Sequence, residues 1–204
     1  MKKINILIIM ILSTTIFSCA SFSKKGFRKE IEKLDETTIT KLNGNYSFYP
    51  IKKYIGNDEK EGNNIPDSLK YYFNAYDELN GDLAYPPKKI GVDSLFIKEN
   101  EYQISLNVEN KNNLRIKVFE NSTIIKDTIL TGKHKKGMFY LDNKFLKCWG
   151  VPYLFGGCQN NKRRIGITKK GNLLINEAVD NGGAILVIIA GGYSYNATFE
   201  YERK

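Results

Sequence analysis

The sequence holds a single histidine, His134, which leaves no material for the usual His-rich metal centre or a histidine-dependent triad. His134 stands among Lys133, Lys135 and Lys136, a run that reads as a solvated basic turn. There is no P-loop and no Rossmann glycine pattern after a strand. The pairs Gly156-Gly157, Gly182-Gly183 and Gly191-Gly192 read as turns or bulges instead. Acidic residues are scattered through polar segments with no spacing that pairs two of them for catalysis. The sequence therefore implies no catalytic residue, no cofactor and no metal. Apolar runs are short as well. The longest near the start, Ile4–Leu12, falls below the ~20 residues that cross a bilayer.

That run has a different meaning in context. Met1-Lys2-Lys3 is basic, Ile4–Leu12 is apolar apart from Asn5, and Ser13-Thr14-Thr15 is small and polar. This order makes a secretory signal. Directly behind it, Ile16-Phe17-Ser18-Cys19 resembles the lipobox of bacterial lipoproteins: an aliphatic residue, a variable one, a small one and then cysteine. The resemblance implies cleavage before Cys19 and lipid attachment to its sulfur and new amine. One acyl chain holds a protein only marginally, at ~0.8 kcal/mol per buried CH₂, whereas two or three make departure negligible. Ala20 follows the cysteine, where Asp is the usual mark of inner-membrane retention. The expected address is thus the outer membrane of a Gram-negative-type bacterium. The lack of an acidic run after Cys19 favours the periplasmic leaflet.

Removing residues 1–18 from 204 leaves 186, enough to bury roughly 70% of the unfolded surface without staples. Hydrophobic content of 42% and charged content of 26% are those of a globular protein. Net charge is +9, falling to +7 once Lys2 and Lys3 leave. An exported basic chain of this kind points away from nucleic acid and toward a lysine-rich surface. With Cys19 carrying lipid, Cys148 and Cys158 remain, two thiols in an oxidising compartment with Pro152 and Gly156-Gly157 between them. They are a candidate disulfide, with two buried thiols the alternative.

Residues 19–43 read as an anchor and tether, in which Phe27, Ile31 and Leu34 have the spacing of a short amphipathic helix. Residues 44–204 read as one domain. Gly44–Tyr49 is a first strand. Leu69, Tyr72, Phe73, Tyr76 and Leu79 fall on a helical period between Pro66-Asp67-Ser68 and Asn80-Gly81. After residue 92 the period becomes two. Tyr102, Ile104, Leu106 and Val108 alternate with polar residues, and so do Leu114, Ile116 and Val118. Further strands are expected at Thr123–Leu130, Met138–Leu141, Lys144–Trp149, Arg164–Thr168, Leu173–Glu177, Ala184–Ile189 and Tyr193–Tyr201. Gln159–Asn161, Lys169–Asn172, Asp180–Gly182 and Gly191-Gly192 read as the turns between them. Ala184–Ala190, nearly all apolar, reads as a strand covered on both faces.

Roughly ten strands joined by short turns make an all-β, mainly antiparallel, up-and-down meander. Closing it into a barrel of about 8–10 strands removes its edges. A β-sandwich is the alternative. Gly44-Asn45-Tyr46 stands where lipocalins carry their Gly-x-Trp strand. A short helix, a meander of hairpins and Arg203 near the last strand complete a pattern that resembles lipocalins. Tyr46 replaces the tryptophan and the later Thr-Asp-Tyr signature is absent. The resemblance implies a barrel that binds a small hydrophobic or amphiphilic ligand, lined by Tyr102, Ile104, Leu106, Leu114, Ile116, Val118 and Trp149. Two other readings stand beside it: a structural or interaction lipoprotein whose filled barrel meets an envelope protein by its exterior, and a glycan-active enzyme using two carboxylates.

Overall fold

A computed structural model of the chain describes residues 20–55, 63–66, 73–80, 101–151, 154–185 and 189–204. The leader, Cys19 and the segment 81–100 lie outside the described residues, as does the first part of the expected helix. What remains of that helix is α1 (Ala75–Asn80), which turns Ala75, Tyr76, Glu78 and Leu79 inward.

The domain is all-β. Twelve antiparallel strands form one sheet: β1 (Ile31–Glu32), β2 (Gly44–Ser47), β3 (Lys52–Ile55), β4 (Asn63–Asn64), β5 (Tyr102–Val108), β6 (Asn113–Glu120), β7 (Thr123–Lys135), β8 (Met138–Leu141), β9 (Phe145–Val151), β10 (Phe155–Thr168), β11 (Leu173–Ile185) and β12 (Ile189–Tyr201). The order is β2-β5-β6-β7-β8-β10-β11-β12-β3-β4, with β1 and β9 also paired to β10.

Period two explains the first half. In β5 and β6, Ile104, Leu106, Leu114, Ile116 and Val118 point inward and are at most 1% exposed, while Arg115 and Lys117 face out. Burying each such side chain contributes about 1.5–3 kcal/mol. The turn between β6 and β7 places Asn121 and Ser122 at φ 45° and 71°, and the one between β7 and β8 places Lys136 and Gly137 at 53° and 79°. Two successive positive φ values match the right-handed twist of a tight hairpin.

The inward faces meet in one cluster that includes Leu42, Tyr46, Phe48, Leu79, Phe139, Ile165, Ile175, Phe199 and Tyr201. Leu34 and Ile39 belong to it too, so domain packing begins before residue 44. Phe27, Ile31 and Leu34 do not share a helix. A 3-10 turn at Lys25–Phe27 leads into β1, which pairs Ile31 with Thr168. Phe27 fills a second, smaller cluster with Tyr54, Met138 and Leu174 on the opposite face of the sheet.

Two expectations are corrected. The sheet is open, not a closed barrel. The outer edge of β12 is taken by β3 at Ala197–Glu200. β2 reaches only the tail beyond β12, through Ser47 N–H to Glu202 O at 2.7 Å, Lys204 N–H to Asn45 O at 2.9 Å and a bridge between Tyr46 and Arg203. This short seam replaces a closing ladder.

Secondly, Gln159–Asn161, Asp180–Gly182 and Gly191-Gly192 are not turns but mid-strand positions of β10, β11 and β12. Ala184–Ile189 is not one covered strand: Ala184 and Ile185 end β11, and Ile189 opens β12. β11 and β12 pair at thirteen successive positions, from Leu173–Tyr201 to Ile185–Ile189. That continuous ladder outweighs the local turn preference of Asn and Gly.

Candidate functional site

The residues expected to line a barrel divide. Ile104, Leu106, Leu114, Ile116 and Val118 are inside, in contact with the rest of the core, and half-buried Tyr102 packs against them. Trp149 is not inside: it is 51% exposed on β9, a strand that among the described residues pairs only with β10 and is exposed along its whole length. Among the described residues the interior is a packed apolar cluster.

At one side of that interior lies a polar island unmarked by any sequence motif. Arg163 and Glu177, 1% and 2% exposed, pair at 2.8 Å across β10 and β11. Asn161 donates to the same Glu177 Oε1 at 2.9 Å, and Tyr195 Oη donates to Oε2 at 3.3 Å. Glu78, from α1, is fully buried beside them with no hydrogen-bond partner on either carboxylate oxygen. Burial, and then the negative charge of Glu177, push the Glu78 carboxyl well above the usual range, although Arg163 and Lys53 pull the other way. Glu78 therefore keeps its proton far more readily than an ordinary glutamate. Two carboxyl groups influence each other here, but both are shut off from solvent. One signal for the island was available: Arg163 and Arg164 are adjacent in a strand, so one had to point inward.

Arg164 points to the other face, where the chain following Cys19 is laid down. Asn196 Nδ2 donates to Ser21 O at 2.8 Å, Ser23 N–H donates to Asn196 Oδ1 at 3.0 Å, and Lys162 Nζ donates to Ala20 O at 3.1 Å. Backward from β1, this segment runs along β10 from Thr168 toward Lys162, so its Ala20 end heads toward the far end of β10–β12.

That far end is the third region. Beyond the core, β9–β12 continue as a four-stranded blade. Cys148 and Cys158 face each other across β9 and β10 and are joined as a disulfide. Four successive rows across the blade carry no charge. From the base they are Cys148, Cys158, Gly182 and Gly192; Trp149, Gly157, Gly183 and Gly191; Gly150, Gly156, Ala184 and Ala190; and Val151, Phe155, Ile185 and Ile189. At ~3.4 Å per residue the four rows span about 10 Å. The next row toward the core is polar: Lys147, Gln159, Asn181 and Tyr193.

Row parity puts Trp149, Val151, Phe155 and Ile185 on one face, each at least 45% exposed. Glycine makes this packing feasible. A Cβ on Gly157 would come within 2.8 Å of Gly182 O and 3.1 Å of the Trp149 ring. Apart from Ile51, Ile124 and Ile129, every exposed large apolar side chain among the described residues is on the blade or its tip.

No protein-family model, curated protein or solved structure matches this chain.

Proposed function

We propose that this protein is an outer-membrane lipoprotein of the interaction class. Its lipocalin-like domain is filled rather than ligand-bearing, it is held by lipid on Cys19, and it acts through its exterior, with the blade resting in the same membrane. The observation that carries this reading is the gathering of Trp149, Val151, Phe155 and Ile185 at the charge-free end of β9–β12. A contiguous exposed apolar end marks a contact with lipid or a partner.

Three features favour lipid. The Ala20 end of the N-terminal segment heads toward the blade, so the described start of the chain and the apolar end lie in the same direction along β10. The charge-free depth of about 10 Å suits the 5–10 Å by which an interfacial element sinks. Above it stand Lys147 and Tyr193, residue types that settle at headgroup level. Among the described residues, the outer edge of β9 and that of the far part of β12 carry no partner strand, and unpaired backbone groups are costly in hydrocarbon, which suits a shallow seat. Arg203 stacked on the Tyr46 ring at 5.3 Å supports the lipocalin-like reading, because these two residues carried the resemblance.

Trp149 is the only tryptophan, so the acylated protein in vesicles reports on the blade alone. Phospholipids brominated near the headgroup should quench its emission strongly, and tail-end bromines weakly. Emission that stays water-like and unquenched would remove the blade from the membrane. Labelled palmitate that still entered a Cys19→Ser variant would remove the anchor.

A further inference from the structure

A cleft of about 490 Å³ opens on the outer face of the sheet, between the segment that follows Cys19, the β7–β8 turn and β10. Its cations are Lys24, Arg28, Lys135, Lys136 and Arg164, and no acidic side chain lines it. Among the described residues none of the five has a carboxylate partner.

Arg164 is the informative member. It is only 3% exposed, yet every partner it has is neutral. Its Nε donates to Asn176 Oδ1 at 2.7 Å, and its two terminal nitrogens donate to Tyr140 Oη at 3.0 Å and Ser23 O at 2.8 Å. The guanidinium lies 4.3 Å from the Phe22 ring centre, and Phe22 meets Tyr140 edge to face at 5.4 Å. A buried guanidinium ordinarily has a carboxylate beside it, because an uncompensated charge out of water is costly. Here the neighbouring charges are positive. Lys24, whose Nζ donates to Lys136 O at 2.5 Å, is driven toward its neutral form by burial first and then by Arg164, Lys33 and Lys136. The cleft is thus short of negative charge, and at its buried end, around Arg164, solvent does little to screen the excess.

We infer that this cleft is a binding site for a phosphate monoester, whose dianion sits among Lys24, Arg28, Lys135, Lys136 and Arg164, with the Phe22–Tyr140 pair as an apolar wall for the group that carries the phosphate. Charge-assisted hydrogen bonds from lysine and arginine to phosphate oxygens are among the strongest a protein surface makes. Because Ser21 and Phe22 stand two and three residues after Cys19, the site is tied to the anchored end of the chain. The phosphate has two sources, a lipid headgroup or a soluble phosphorylated molecule. The inference stands on the cleft alone and does not need the blade to touch lipid.

The test uses the full acylated protein in phosphatidylcholine nanodiscs, with amide shifts of Ser21–Lys24 and Lys135–Gly137 as the readout. Glycerol 3-phosphate is titrated in one arm, and phosphatidic acid is built into the disc in the other. Shifts saturating with glycerol 3-phosphate assign a soluble phosphate ligand. Shifts only with phosphatidic acid assign a lipid headgroup. Lys135→Gln/Lys136→Gln, exposed residues at the end of β7 and in the turn that follows, should weaken binding at least tenfold, whereas Lys169→Gln/Lys170→Gln, an equal loss of charge on another turn, should leave it unchanged. No saturable shift with either probe overturns the site, and so does equal weakening by the two double variants, which would reduce it to general surface charge.

Discussion

The two halves of the long strands β10–β12 make a natural comparison. Near the core, Ile165, Ile167, Leu173, Ile175 and Phe199 are at most 2% exposed and belong to one cluster. Further out, the same strands carry Gly156, Gly157, Gly182, Gly183, Gly191 and Gly192, and Phe155 and Ile185 are more than half exposed. The backbone ladder is continuous through both. One end is a strand because its side chains are buried. The other is a strand because its neighbours already are, and because a disulfide and an unbroken register hold it. Apolar side chains at the first end stabilise the fold. At the second they are available to something outside it.

The sharpest way to break this contrast is truncation in each half. Ile116→Ala should cost about 2–5 kcal/mol through lost burial and the cavity left behind. Leu146→Ala on the blade, 63% exposed, should change stability by less than about 0.5 kcal/mol, measured by denaturant titration. Equal losses at the two sites would mean the blade is covered.

Glu78→Gln probes the island between the halves. Because burial raises the Glu78 carboxyl, the folded state holds its proton where the unfolded chain has released it. Wild-type stability should therefore fall as pH rises above about 4.3, the ordinary glutamate value, up to the raised folded value. The Gln variant lacks this fall, so its advantage should be small at pH 4.5 and grow by pH 8.5. An advantage independent of pH would mean that Glu78 is ionised in the fold.

A smaller, local effect is expected from opening the Cys148–Cys158 bridge. Hydrogen exchange should accelerate in β9 and the outer β10 amides while Ile104–Leu106 and Ile165–Ile167 keep their protection. Global loss of protection would contradict the independence of the blade. Subtlest is Phe155→Asp, with folding unchanged by circular dichroism. It should lower bromolipid quenching of Trp149 while leaving palmitate incorporation at Cys19 intact.

Much of the core half was legible from residues 102–141, because one face had to be apolar and period two showed which. The β6–β7 turn has a local cause too: a tight hairpin needs residues at positive φ, and Asn121, a type that tolerates it, opens the pair Asn121-Ser122. The blade was misread because Asn and Gly signal turns only when no partner strand offers a ladder, and pairing over thirteen positions is not a local property. The barrel-lining place that the resemblance implies for Trp149 fails because, among the described residues, nothing packs over β9, which is exposed along its whole length. The cleft was invisible for a different reason. Phe22, Lys136 and Arg164 are far apart in sequence, and none is unusual by itself.

By itself the sequence determined the all-β class, the alternating inward residues of β5 and β6, and the pattern at the start from which a lipid anchor is read. These depend on the order of neighbouring side chains. Only the tertiary structure decided that the sheet stays open, that β9–β12 run on past the core, and that Arg164 is buried among cations. Those outcomes depend on which distant segments compete for the same strand edge and the same face, a matter settled by register and burial across the whole fold rather than by any local stretch of chain.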